Sequence, residues 1–282
     1  MKHVLSNWPE IQGFLEGHYL FLCLDYDGTL IRIVRNPGSA NLSRTNCRTL
    51  QALSKAKEVK TALVSGRSLS DLKGRVGLAN LIYVGNHGLE CEGPNIHFTH
   101  SQAQVLSRLL RHVAEQLKAE LQNYRGVVVE NKELTLSVHF RKLDPQKVGD
   151  ALTVFDSVLD SYVRTSQLAT TVGKKVWEVR PAVKWNKGTV VRWLMGRLED
   201  HLARSVYPIY VGDDRTDEDA FRAIKHKGLG IKVVEDQNIS SQATHCLYSV
   251  REVYAFLKRL ILIRDGSPQR LNRLQVARKP SL

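Results

Sequence analysis

Short apolar runs alternate with stretches of helical spacing over most of the 282-residue chain. Tyr19 to Asp25 contains the unbroken run Leu20-Phe21-Leu22-Cys23-Leu24, which predicts a strand buried on both faces, as in a parallel sheet. Further strands are predicted at Thr61-Ala62-Leu63-Val64, at Leu81-Ile82-Tyr83-Val84, and at 206–211, 229–234 and 245–248. Pro208 lacks a ladder donor, which counts against the strand at 206–211. Helical spacing falls at 43–58, with Ser43 as N-cap and Leu50 and Leu53 on the apolar face, and at 189–198, 217–224 and 250–263. This alternation predicts an α/β fold: a doubly wound, Rossmann-like parallel sheet.

The middle of the chain breaks the alternation. A helix at 102–122 precedes a hairpin of 127–132 and 134–140. A helix at 145–159 then precedes a second hairpin, 168–171 and 176–179, with Gly173 near its turn. The order αββαββ predicts an inserted α+β cap domain bounded near Gln104 and Ala182. The expected organisation is a core over 1–104 and 183–264, a cap over 105–182, and a flexible basic tail over 265–282. In that tail Arg270, Arg273, Arg278 and Lys279, with Arg264 before them, face only Asp265.

Composition narrows the class. The chain is 43% apolar and 24% charged, as a soluble globular protein is. No apolar run approaches the roughly 20 residues of a membrane helix, and the first ten residues hold no apolar h-region, so neither membrane insertion nor a cleaved secretion signal is expected. Cys23, Cys47, Cys91 and Cys246 show no CxxC spacing; they read as free thiols of a reducing, cytoplasmic compartment. A net charge of +13 suits nucleic acid or an anionic small substrate. With neither zinc-finger spacing nor an RNA-binding aromatic signature, a solvated basic surface is expected and nucleic-acid binding is not.

Four polar clusters follow core strands or open helices. Asp25 and Asp27, two apart on an extended chain, project together from a strand end, and Gly28 bends the chain after them. A divalent cation with covalent or acid–base chemistry is the usual reason for such a pair. Ser65-Gly66-Arg67 offers a hydroxyl and free amides suited to phosphate. Lys187-Gly188 opens a helix. Gly212-Asp213-Asp214-Arg215-Thr216-Asp217-Glu218-Asp219 follows a strand. Each cluster alone is a common turn or helix start. Together they mark the carboxyl ends of the strands, where open parallel sheets bind ligands.

The set resembles the haloacid-dehalogenase-like phosphohydrolases and, more narrowly, the trehalose-6-phosphate phosphatase family. The residues that carry the resemblance are Asp25 to Leu30 (DYDGTL), Ser65 to Arg67, Gly85-Asn86-His87-Gly88 with Glu90, Glu130-Asn131-Lys132, His139-Phe140-Arg141, Glu178-Val179-Arg180-Pro181, Lys187-Gly188, and Gly212 to Phe221 (GDDRTDEDAF). Phe140 departs from the family's usual Tyr, and the basic tail has no counterpart.

The resemblance implies Asp25 as nucleophile and Asp27 as general acid and base. It implies Mg²⁺ held by Asp25, the Asp27 carbonyl and Asp213, with Asp214 and Asp217 behind them orienting waters or Lys187. Ser65 and Lys187 would hold the phosphoryl oxygens, with Gly66, Arg67 and His87 beside the substrate and Glu130, Lys132 and Glu178 on the sugar. Arg67 and His87 also suit a structural role, bonding loop carbonyls. The implied activity is hydrolysis of trehalose 6-phosphate by a monomer; no partner synthase is specified. Open alternatives are a phosphatase of sucrose, mannosylglycerate or glucosylglycerate phosphate, a phosphomutase, and a non-catalytic nucleic-acid binder.

Overall fold

The structure, a computed structural model, describes residues 1–34, 37–234 and 240–265; the expected tail lies almost wholly outside them. The first part of the chain forms β1 (Lys2–His3), α1 (Trp8–Leu15), β2 (Leu20–Leu24), α2 (Arg44–Leu53), β3 (Val59–Val64), α3 (Leu69–Val76), β4 (Ile82–Gly85), β5 (Glu90–Gly93) and β6 (Ile96–Thr99). The middle forms α4 (Ser101–Glu120), β7 (Val128–Asn131), β8 (Leu136–His139), α5 (Val148–Arg164), β9 (Leu168–Gly173) and β10 (Val176–Pro181). The last part forms α6 (Lys187–Leu202), β11 (Tyr207–Gly212), α7 (Glu218–Ile224), β12 (Leu229–Val233), β13 (His245–Leu247) and α8 (Val250–Arg264).

One sheet has the order β1-β13-β12-β11-β2-β3-β4-β5-β6. It is parallel from β1 to β4, as predicted, but β5 and β6 extend it antiparallel. The unbroken apolar run of β2 has a direct cause. Leu20, Leu22 and Leu24 pack with Leu50, Leu53 and Phe256 on one face, while Phe21 and Cys23 pack with Val190, Leu194 and Phe221 on the other. A strand covered on both sides has no polar alternation to show.

Pro208 sits inside β11, between two partners. The Tyr207 amide donates to Tyr19 on the β2 side, and pairing with β12 begins only at Ile209. The missing N–H of Pro208 thus costs no ladder bond.

The second sheet, β7-β8-β10-β9, is antiparallel throughout. Its apolar face meets α4 and α5 in a separate core of Leu110, Val113, Leu117, Phe155, Leu159 and Trp177. The expected boundary near Gln104 falls in the first turn of α4, and that near Ala182 just after β10. Phe140, where the family pattern has Tyr, stacks on Trp177 at 4.3 Å in this core.

Several expectations need correction. The helix predicted over 43–58 stops at Leu53: polar residues follow, and Glu58 turns through a positive φ of 55° into β3. α5 runs on to Arg164, and α6 starts at Lys187 and continues to Leu202. β1, α1, α3, β5 and β6 were not predicted. α3 carried its signals plainly, with Ser68 capping the amide of Asp71 and Gly77 ending the helix at positive φ. All four cysteines are free, and no helix among the described residues is long and apolar enough to cross a membrane.

Candidate active site

The strand ends build the floor. The Asp25 amide donates to the Val211 carbonyl at 2.9 Å, so the chain leaving β2 runs beside the chain leaving β11 and brings Asp25 near Asp213. Gly28 makes this approach fit. Its φ is +85°, and a Cβ there would lie 2.3 Å from the Asp213 carboxyl carbon. Lys187, at the start of α6, reaches the same point from the far side of the sheet. Its buried Nζ donates to Asp25 Oδ1 and to Asp217 Oδ1, both at 2.7 Å. Asp217 is fully enclosed, accepting also from Tyr210 Oη at 2.7 Å and from the Asp214 amide at 2.9 Å.

These contacts set the charges. Burial pushes Asp25 well above the usual carboxylate range, although the Lys187 ammonium opposes it. Burial acts on Lys187 in the other direction, yet Asp217 and Asp25 outweigh it and hold the ammonium charged. Burial would raise Asp217 too, but Lys187 with three hydrogen bonds wins and holds it ionised. Asp213 is pushed up to about 6, first by burial and then by the negative Asp217.

The floor suits a hard cation. One oxygen from each of Asp25, Asp213 and Asp217 falls within a 4.8 Å set, and buried Asp213 Oδ1 has no hydrogen-bond partner among the described residues. An all-carboxylate donor set favours a cation such as Mg²⁺. Asp217 has both oxygens committed to Lys187, Tyr210 and the Asp214 amide, so Asp25 and Asp213 have the capacity to ligate.

The walls come from β3 and β4. Arg67 grips both oxygens of Asp27, Nε to Oδ2 at 2.6 Å and Nη2 to Oδ1 at 2.7 Å, and gives Nη1 to Asp71. Two carboxylates, those of Asp27 and Asp71, are thus among its partners. Ser65 is buried, and its Oγ accepts from the Arg67 amide. His87 packs against Gly66, where a Cβ would meet the imidazole at 2.5 Å.

The inserted unit closes the roof. Lys132 Nζ donates to the Gly66 carbonyl at 3.0 Å and lies 3.6 Å from Glu178. Glu178 also accepts from Ser137 Oγ at 2.7 Å and stands 3.7 Å from His87. Burial alone would raise Glu178, but Lys132, His87 and Ser137 together lower it to about 2. Glu130 pairs with His139 at 2.8 Å, which holds it below its usual range. A cavity of about 210 Å³ between floor and roof is lined by Asp25, Asp27, Ser65, Gly66, Arg67, His87, Glu130, Lys132, Glu178, Lys187, Asp213 and Asp214. Asp217 alone of the predicted site residues stands behind the lining.

A model of the trehalose-phosphatase family matches residues 23–253. The chain belongs to this family, and so to the phosphoric monoester hydrolases. Probable trehalose-phosphate phosphatase H of Arabidopsis thaliana is 36% identical over 271 residues, covering 91% of this chain and 76% of that protein. Probable trehalose-phosphate phosphatase 4 of Oryza sativa subsp. japonica is 34% identical, covering 92% and 71%. Among solved structures, the C-terminal domain of the C. albicans trehalose-6-phosphate phosphatase superposes with a TM-score of 0.77, covering 90% of this chain and 96% of that one. At 22% identity that likeness speaks for the haloacid-dehalogenase-like fold.

Three residues of this candidate site escaped the sequence reading. Asn86 is fully buried with a positive φ of 47°. Its side-chain amide donates to Glu90 at 2.6 Å and to the Lys132 carbonyl at 3.0 Å, and its Oδ1 accepts from Thr135 at 2.6 Å. It ties the turn after β4 to the β7–β8 hairpin. Lys174, in the β9–β10 turn, donates to Asp213 Oδ2 at 2.7 Å from the inserted unit. Tyr210 holds Asp217 from within β11. Asn86 lies within Gly85-Asn86-His87-Gly88, so its turn position was a usable signal. Lys174 and Tyr210 offer none without the fold.

Proposed function

We propose that the chain hydrolyses trehalose 6-phosphate to trehalose and phosphate, with Mg²⁺, through an aspartyl-phosphate on Asp25. The observation that carries this reading is the meeting of Asp25, Lys187 and Asp213 on one floor, facing Glu130, Lys132 and Glu178 across a single cavity.

An Asp25 oxygen attacks phosphorus; its lone pair forms the new O–P bond as the bond to the sugar oxygen breaks. The sugar oxygen takes a proton from Asp27. Water then attacks the phosphorus of the aspartyl-phosphate, Asp27 takes the water's proton, and the Asp25 carboxylate is restored. Arg67 holds both Asp27 oxygens, so one of those bonds opens when Asp27 carries the proton. Lys187 and Ser65 hold the phosphoryl oxygens, and Asp217 keeps Lys187 charged and aimed. Asp25, Asp213 and the Asp27 carbonyl would hold Mg²⁺, which when bound offsets charge on the phosphoryl group; Asp214 stands behind them.

The inserted unit acts as the cap that selects the leaving group. Glu130, Lys132 and Glu178 bind sugar hydroxyls, with Gly66, Arg67 and His87 lining the passage between sugar and phosphate. Closure keeps bulk water out until the ester is cleaved. Free thiols support a reducing, cytoplasmic setting. Phosphate release over a panel of sugar phosphates, each with Mg²⁺ and with EDTA, tests the proposal. Trehalose 6-phosphate turns over fastest and only with the metal; faster turnover of sucrose or glucosylglycerate phosphate would overturn the substrate.

A further inference from the structure

A second cavity, of about 690 Å³, lies between the segment after β2 and helix α8. Four cations line it: Arg32, Arg251, Lys258 and Arg259, with no carboxylate among its lining residues. The basic surface does not make this a general feature. A groove of about 670 Å³ between α4 and α5 is lined by no Lys or Arg at all.

The cavity has fixed walls. Arg251, Tyr254, Ala255 and Lys258 recur at helical spacing on α8, so they share one stripe of that helix. Arg259 stacks over Trp8 at 5.2 Å and donates to the Leu5 carbonyl. Opposite, Arg75 Nη1 donates to Gly38 and Ala40 carbonyls and to Asn41 Oδ1, pinning that side. Arg32, Arg251 and Lys258 have no ion-pair partner among the described residues, and all three are exposed. Like charges gathered this way repel one another, and an anionic ligand relieves that repulsion.

Charge is half of the chemistry. Leu30, Ile31, Val34, Ala40 and Tyr254 supply apolar surface, while Ser39, Ser43, Asn41 and Asn46 supply hydroxyls and amides. A site of this size with apolar walls and a few polar groups suits a small organic molecule rather than a bare ion. We infer that this cavity is a second, regulatory site for a phosphorylated small molecule of nucleotide size, its phosphates on the four cations and its ring system against Tyr254 and the aliphatic wall.

A route for regulation is visible. Residues 30–34 line both cavities: Leu30, Ile31 and Arg32 face the basic one, Ile33 the catalytic one, and Val34 both. Tyr254 Oη donates to the Leu30 carbonyl at 3.1 Å, the Leu30 amide donates to Tyr26, and Ile31 bridges to Asp27. A ligand on α8 therefore bears on the turn that carries Asp25 and Asp27.

ATP is the probe. Calorimetric titration of the full chain in EDTA gives saturable binding, weakened about tenfold or more in Arg251→Glu/Lys258→Glu. Binding persists with excess trehalose 6-phosphate. With Mg²⁺ in excess over nucleotide, ATP shifts the p-nitrophenyl phosphate rate of the wild type, while the double variant keeps the basal rate and does not respond. No ATP binding by the wild type, equal binding by both proteins, or loss of binding to excess trehalose 6-phosphate would each overturn the site. Retention of RNA by this face without ATP binding would overturn the ligand class. Binding without a change in rate would overturn the regulation. The calorimetric result stands or falls whatever substrate the catalytic cleft prefers.

Discussion

The floor and the roof of the candidate site are built on different terms. On the floor, Lys187 and Asp217 are 3% and 0% exposed, and every charge has a partner at hydrogen-bond distance. On the roof, Lys174 is 55% exposed and Glu130 46%, while Lys132 and Glu178, at 9% and 15%, are enclosed where they meet the core. The floor is held by a nine-stranded sheet, the roof by four strands on two helices. Phosphoryl transfer requires fixed charge in a dry site. Choosing a sugar requires groups that open, close and exchange hydroxyls for water. Under the proposed function, these two tasks fall to two different sheets.

The largest effect that would sharpen this division is on the floor. Asp25→Asn should lower phosphate release from trehalose 6-phosphate and from p-nitrophenyl phosphate alike, by about a thousandfold or more, with an unchanged Tm. Lys187→Met should be inactive too, and should also destabilise the fold, since Asp25 and Asp217 would be left buried without their cation. The expected cost is about 3–5 kcal/mol, read by urea unfolding. A Lys187→Met protein as stable as wild type would contradict the paired-charge floor.

Roof variants should split the two substrates. Glu178→Ala should cut kcat/KM for trehalose 6-phosphate by about ten- to a hundredfold and leave p-nitrophenyl phosphate nearly untouched. Equal losses on both would mean that the roof takes part in phosphoryl transfer. Asn86→Ala breaks the joint between the two regions. Glu90 keeps the Leu69 amide and the Lys132 carbonyl keeps the Leu134 amide, so the group left stranded is the buried Thr135 hydroxyl, at about 1–3 kcal/mol. KM for trehalose 6-phosphate should rise more than kcat falls.

The smallest effect concerns pH. Glu178 is held at about 2 in the folded protein, below its ordinary value of 4.5. Its contribution is fully present above pH 4.5 and is lost as pH falls through about 2. Glu178→Gln should therefore be less stable than wild type at neutral pH, with the gap narrowing below pH 4.5 in paired thermal melts.

The floor was legible in the sequence because it is local. Asp25, Asp27, Lys187 and Asp213 each follow a strand or open a helix, and a doubly wound sheet brings such ends together. The roof was legible only through a resemblance, since Glu130 and Glu178 in isolation read as exposed strand charges. Lys174 was missed because its turn position says nothing of the Asp213 it reaches 39 residues on. Tyr210 looked like one more apolar strand residue; only the packing of β11 gives its hydroxyl to Asp217. The antiparallel β5 and β6 were missed because strands of four residues leave little period to count.

The proposed function turns on phosphorylation of Asp25 itself. Acid quench during turnover of trehalose 6-phosphate, then borohydride reduction and peptide mass spectrometry, tests it directly, because an acyl-phosphate reduces to an alcohol. Homoserine at position 25, formed only with substrate and Mg²⁺, is the result expected. Homoserine at 27, 213 or 217, with Asp25 intact, would contradict it.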